Sequence, residues 1–270
     1  MVCKYAILID CPDEYLDILH VFFLYLEKNW RDCPATIYIT TNEKEIDHPN
    51  NVVFVKCGFN INSIQRSKIA INTINENFLL ILDCDCLFRK KINSNIINLL
   101  VDYLDKVDAK YCRLWKNPCS YLYKTSFKHL YHLNSKQRYS MSLMANIWKK
   151  EVYLNEVASL NLDGWSIENE WLKESFYSKK GKKNEYYYFS EDPLHILHAV
   201  YKGKWIRKAY CKMISDCVSP SCLESRECIL RRTEIKIDFS RFIKKIFPSS
   251  LVRLTKKILS FFGVKFSSRY

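Results

Sequence analysis

Asp83 and Asp85 are the residues of this 270-residue chain whose type and spacing most directly suggest chemistry. They close the run Asn77-Phe-Leu-Leu-Ile-Leu-Asp-Cys-Asp-Cys-Leu-Phe88, whose unbroken apolar stretch reads as a short strand buried on both faces. Two carboxylates one residue apart at the end of a buried strand are costly unless they are paired or coordinate a metal. In open α/β sheets, ligands bind outside the carboxyl ends of the strands. An Asp-x-Asp there can hold a hard divalent cation that grips the phosphates of a nucleotide. The competing reading is a strand-to-helix turn in which one Asp caps the next helix. Cys84, between the carboxylates, should face away from such a metal. Two further acidic stretches stand out: Asp10-Cys-Pro-Asp13, and Asp163-Gly-Trp-Ser-Ile-Glu-Asn-Glu-Trp171 with its carboxylates and indoles.

The elements that must position these residues follow from periodicity. Lys4 to Asp10 reads as a first strand, and Asp13 as a cap for a helix starting near Glu14 with apolar residues at helical spacing. Thr36–Thr41 and Asn51–Lys56 are β-branched strands, Ser63–Asn75 is a helix, and Phe78–Leu82 is the strand before the Asp pair. This β-α-β-β-α-β order predicts a mostly parallel sheet covered by helices. If the first and fourth strands are neighbours, Asp10 and Asp83/Asp85 face one crevice. Beyond it, Asn93–Lys106 predicts a helix, Ala109–Leu114 a strand, Tyr139–Asn146 a strand-like piece and Ile147–Leu160 a helix or a turn plus a helix. Trp115–Arg138 resists assignment, and Lys179–Lys183 is a charged loop.

Composition narrows the function classes. The five glycines form no Gly-x-Gly, which removes the Walker loop and the dinucleotide fingerprint. A bound nucleotide would then have its phosphates held by metal and side chains. The net charge of +13 is concentrated: after Asp238 there are eight Lys and Arg and no acid, and removing those eight leaves +5. The segment places Phe242, Ile243, Phe247, Leu251, Leu254, Ile258 and Phe261 among these cations, as two amphipathic basic helices broken at Pro248. Such helices lie on anionic membrane surfaces, a reading favoured over nucleic acid or a packed terminal helix. No apolar run reaches the ~18 residues of a transmembrane helix. Of the twelve cysteines, several occupy strand-like positions, and the first residues lack the order of a secretory signal. Reduced thiols and a cytoplasmic location, peripheral to the inner face of the membrane, are expected. A zinc site from Cys211, Cys217, Cys222 and Cys228 is disfavoured because no Cys-x-x-Cys pair occurs among them.

With the order in place, the chain resembles GT-A-type glycosyltransferases, more narrowly those of bacterial capsule and lipopolysaccharide biosynthesis. Three segments carry the resemblance: Ile7-Leu-Ile-Asp-Cys-Pro-Asp-Glu-Tyr15 with Lys28–Pro34 and Ile37–Thr40; Asp83-Cys-Asp85; and the ordered Tyr139–Leu143, Ile147-Trp-Lys-Lys150 and Trp165-Ser-Ile-Glu168. It spans about residues 4–210. Ser166 departs from a usual Glu, and Met144-Ala145 from a usual Gln-Pro.

The resemblance implies an α/β, Rossmann-like GT-A domain over 1–235, with a nucleotide-sugar-binding half (1–115) and an acceptor-binding half (116–235); the amphipathic basic pattern makes 236–270 a membrane-association tail. It implies Mn2+ or Mg2+ on Asp85, with Asp83 meeting the metal or the ribose. Asp10 and Asp13 could contact the nucleoside and Arg66 the phosphates; a cap and an exposed helix residue are the plain readings of Asp13 and Arg66. Glu168 lies where inverting enzymes of this type carry their base, near the indole of Trp165, with Glu170 and Asp163 as rivals and a dipole-stabilised helix carboxylate as the plain alternative. Trp148 and Trp165 could offer faces to an acceptor sugar, although core packing is commoner for Trp. His195 or His198 could add a metal ligand, with structural histidines favoured. The expected activity is transfer from a nucleotide-sugar donor to a surface polysaccharide or lipooligosaccharide, a saccharide or lipid-linked acceptor. A degenerate carbohydrate-binding protein of the same fold and a sugar nucleotidyltransferase are the alternatives.

Overall fold

Three parallel pairings set up the molecule. In the computed structural model, β1 (Tyr5–Asp10) lies between β2 (Ile37–Thr41) and β4 (Phe78–Asp83), and β3 (Val52–Lys56) extends the sheet beyond β2. The structure describes residues 3–115, 121–133, 141–171 and 185–235, with Phe239 and Phe261 as isolated positions. Lys179–Lys183 and the tail, apart from those two residues, lie outside the described residues.

The sheet does not stop at β4. It continues through β9 (Asn146–Lys149), β6 (Tyr111–Arg113), β10 (Tyr186–Phe189), β8 (Leu130–Leu133) and β7 (Tyr121–Lys124), giving, among the described residues, nine strands in the order β3-β2-β1-β4-β9-β6-β10-β8-β7. Only β9 and β8 run against the rest. One mostly parallel sheet thus crosses the boundary expected near residue 115.

Helices cover both faces. The buried apolar stripes of α1 (Leu16–Trp30) and α3 (Ser94–Lys106) pack on the face carrying Tyr5, Ile7, Ile9, Leu80 and Leu82. The opposite face, with Ala6, Leu8, Leu79 and Ile81, receives α2 (Ser63–Ile71) and α4 (Lys150–Glu156). The Trp30 indole N–H donates to Ser94 Oγ at 2.8 Å, tying the end of α1 to the start of α3. The start of α2 is a reciprocal capping box between Asn62 and Gln65.

Three expectations are corrected. Ile147–Leu160 is not one helix: Asn146–Lys149 fills the slot between β4 and β6, pairing antiparallel to both, and the chain turns helical only at Lys150. Sheet pairing overrides the apolar spacing there. The strand expected at Tyr139–Asn146 is irregular over residues 141–145 and pairs only from Asn146. Asp13 makes no helix-cap bond; it opens a 3-10 turn, Asp13–Tyr15, before α1.

Candidate active site

The register of β1 on β4 makes Asp10 and Asp83 direct neighbours at the strand ends. Strand alternation sends both carboxylates to the α2 side, with Leu8 and Ile81, and sends Cys11 and Cys84 into the core on the other side. Asp10 is held tightly. Arg66, on α2 and 7% exposed, donates from Nε to Oδ1 and from Nη2 to Oδ2, each at 2.7 Å, and Thr40 Oγ1 adds a 2.8 Å bond. Arg66 Nη1 also reaches the Ile61 carbonyl at 2.9 Å. The guanidinium therefore clamps a strand end, and its fork matches the carboxylate. Asp13 has a similar duty: its Oδ1 accepts from the amide of Asn42 at 2.9 Å and from those of Glu43 and Lys44 at 3.3 Å, fixing the loop after β2.

Asp83 is different. Among the described residues nothing donates a hydrogen bond to its carboxylate, which opens onto the cleft. Its side chain is exposed to the cleft, but the protein crowded around it, then the charges of Asp85 and Asp10, push its pKa up to about 7. Asp85 is buried, and its Oδ2 accepts from the Val200 amide at 3.1 Å and lies 3.0 Å from His198 Nε2. His198 arrives on β11 (Ile196–His198), which pairs antiparallel with β5 (Cys86–Phe88) so that His198 faces Cys86. Ligand atoms of Asp83, Asp85 and Cys86 lie within 4.8 Å of one another. Burial, followed by the charges of Asp85 and Asp83, raises the Cys86 thiol well above its ordinary pKa, so it stays protonated and is a poor partner for a hard cation.

These residues fit a divalent metal. Crowded carboxylate oxygens, one without a donor, beside an imidazole nitrogen match the preferences of Mg2+ or Mn2+. His195 sits at positive φ (47°) and, through its backbone carbonyl, holds the Arg89 amide at 3.0 Å. Among the described residues, Cys211, Cys217, Cys222 and Cys228 do not gather as ligands.

The carboxylates open into a cavity of ≈ 440 Å³, whose lining includes Asp10, Asp83, Ser63, Ser67, Trp115, Ser142, Met144, Tyr153, Glu168 and His198. Glu168 comes from α5 (Gly164–Trp171). Its Oε1 accepts from Ser142 Oγ at 3.1 Å and from the Leu143 amide at 2.9 Å, holding the loop before β9 against the helix. Among the described residues, Oε2 has no partner. Asp163 bonds Ser166 at both its amide (2.8 Å) and hydroxyl (3.0 Å), as a helix cap does.

The structure brings Asp10, Asp83, Asp85, Glu168 and His198 together, and keeps Arg66 and Asp13 just behind them. It corrects Trp148, which is fully buried on β9 against Tyr111 and Trp171, with no face toward the cavity. The Trp165 and Glu170 side chains lie outside the described residues. Sequence reasoning missed Trp115 and Ser142. Trp115 sits in the stretch that resisted assignment, and its only signal was an indole just after a strand.

Strand order and strand direction define the fold: a GT-A-like, Rossmann-like α/β sheet flanked by helices, with acidic strand ends at one cavity. No family model matches the sequence, and no curated protein matches it. Solved structures with a similar fold include Staphylococcus aureus TarS 1–349, at 13% identity and TM-score 0.44 over 69% of this chain and 58% of that one. The same protein in complex with UDP-GlcNAc gives 13% and 0.44 over 78% and 64%. A 2-C-methyl-D-erythritol 4-phosphate cytidylyltransferase from Thermus thermophilus gives 11% and 0.39 over 61% and 83%. The chain thus spans about three fifths of the TarS chains it resembles. Likeness at this level carries no functional argument.

Proposed function

We propose that this chain is a glycosyltransferase that takes a sugar from a nucleotide-sugar donor and passes it, with inversion, to a saccharide or lipid-linked saccharide of a surface polysaccharide or lipooligosaccharide. The observation that carries the reading is the convergence of Asp10, Asp83 and Glu168 in one cavity at the strand ends, with Asp85 beside Asp83. Asp83 and Asp85, with His198 beside them, would hold Mn2+ or Mg2+, which when bound supplies Lewis-acid neutralisation of the diphosphate leaving group.

The chain's own residues do the rest. Arg66 and Thr40 hold the Asp10 carboxylate in place at the nucleotide end of the cavity. Glu168, steadied through Oε1, takes the acceptor hydroxyl proton at Oε2 as that oxygen attacks the anomeric carbon and the carbon–phosphate-oxygen bond breaks. Tail residues 236–270, with their nine cations and interleaved apolar side chains, would rest on an anionic membrane where a lipid-linked acceptor is found. Among the described residues, no helix is long and apolar enough to cross a membrane.

The test is transfer and donor binding with a panel of nucleotide-sugars, with and without Mn2+. Asp85→Ala should lower metal-dependent transfer by about 10³-fold, the several kcal/mol a Lewis acid contributes. Undiminished metal-dependent transfer in that variant would overturn the assignment.

A further inference from the structure

Of the indoles considered for sugar contact, Trp148 is buried; the cavity wall carries a different one, Trp115. It stands just past the end of β6, and its carbonyl accepts from Nε of Arg113 at 3.0 Å. Arg113 is only 2% exposed, so the backbone at Trp115 is fixed from within the core. The indole is half-buried: part packs against the core on the α1 and α3 side, and part lines the cavity.

Its place relative to the carboxylates is set by one imidazole. The His198 ring lies 6.5 Å from the indole, centroid to centroid, with the planes 72° apart. The same ring puts Nε2 3.0 Å from Asp85 Oδ2. A diphosphate bound at Asp83 and Asp85 would therefore have the indole on the far side of the His198 ring, on the wall of the same cavity and within reach of a sugar on its outer phosphate. Pyranoses have an apolar C–H face and a rim of hydroxyls. An indole matches the face with few rotatable bonds to immobilise, and Ser142, Glu168 and His198 around the cavity match the rim.

We propose that Trp115 is the stacking platform of a subsite for the donor's transferred hexosyl group, bounded by Ser142, Glu168 and His198. This rests on the reading of the chain as a nucleotide-sugar-dependent transferase. It assigns Trp115 to the sugar and not to the nucleotide, and to the donor and not to the acceptor.

The experiment is calorimetric titration of the full chain, in Mn2+, with UDP-glucose, UDP-N-acetylglucosamine and GDP-mannose, each beside UDP or GDP alone. Trp115→Ala should weaken the nucleotide-sugar that binds by about three- to tenfold while leaving its bare diphosphate unchanged. Trp115→Phe, which keeps an aromatic face, should fall between; it carries the test if the alanine variant melts early. Equal weakening of sugar nucleotide and bare diphosphate would overturn the subsite, because the indole would then serve the nucleotide or the fold. Unchanged affinity for both would overturn it too, and would move Trp115 to the acceptor side or to the core. If the wild type binds bare UDP or GDP but none of the sugar nucleotides, the hexosyl subsite fails while nucleotide binding stands. If it binds none of the five, the transferase reading fails and takes the subsite with it.

Discussion

The two walls of the cavity are built by different means. The wall from β1, β4 and α2 is a product of register: Asp10 and Asp83 are ladder neighbours, and Arg66 locks the first of them from a helix packed directly on the sheet. The opposite wall gathers residues far apart in sequence. Glu168 reaches back to Ser142 and Leu143, His198 reaches back to Asp85, and Trp115 hangs beyond the end of β6. The first wall fixes where negative charge sits. The second sets what lies beside that charge, through side-chain contacts that can change without disturbing the sheet, as specificity elements on a rigid scaffold do.

The comparison breaks most visibly at Glu168. Gln keeps an oxygen to accept from Ser142 Oγ and Leu143 N, so it preserves the loop and removes only basicity. Glu168→Gln should lower kcat by about 10²–10⁴-fold, the usual contribution of a positioned base. Donor affinity and melting temperature should stay near the wild-type values. If the variant instead loses donor affinity or folds poorly, the second wall is scaffold in the same sense as the first, and the base lies elsewhere.

The next effect in size tests the first wall. Arg66→Met leaves the Asp10 carboxylate, whose side chain is 21% exposed, without its bidentate partner. Breaking a largely buried pair from one side costs about 3 kcal/mol or more. Urea denaturation should show that loss, and adding Asp10→Asn to Arg66→Met should restore much of it by removing the stranded charge. A loss below about 1 kcal/mol would mean that Asp10 is solvated from the cavity and that the clamp is dispensable.

The walls also differ in how much of them could be read from the sequence. Asp10 and Asp83 were legible because hydrophobic alternation and the β-α-β-β-α-β order constrain a parallel ladder, and one register follows from where both strands stop. Arg66 was visible as a residue but not as a clamp, since its partner depends on how α2 settles on the sheet. The second wall depends on pairings across long stretches of chain. Cys86–Phe88 finds its partner at Ile196–His198. Ile147-Trp-Lys149 looks helical alone and becomes a strand only because a slot between β4 and β6 awaits it. Trp148 was offered to a sugar and Trp115 was overlooked for the same reason: nothing local separates an indole in a central strand from one just past a strand end.

The smallest expected effect concerns how the later part of the chain is fastened to the earlier part. Asp216 follows α6 (Arg207–Ser215) and receives Tyr25 Oη at 2.7 Å and Lys28 Nζ at 3.0 Å from α1, besides Lys212 Nζ at 2.6 Å from its own helix. Burial alone would raise its pKa, but the hydrogen bonds from Lys212, Tyr25 and Lys28 outweigh it and hold the carboxyl down at about 2. Its folded pKa thus lies below the ordinary carboxylate value of 3.8. The contribution to stability is complete above pH 4 and is lost as pH falls from about 4 to about 2, because there the unfolded chain takes up a proton that the folded one refuses. At about 1.4 kcal/mol per pKa unit, it amounts to roughly 2–2.5 kcal/mol. Asp216→Asn should flatten the acid limb of the stability curve in that window and lower stability near neutrality by a similar amount. If the wild type and the variant lose stability in parallel between pH 4 and pH 2, the ion pairs at this joint contribute nothing, and apolar contacts alone hold α6 to α1.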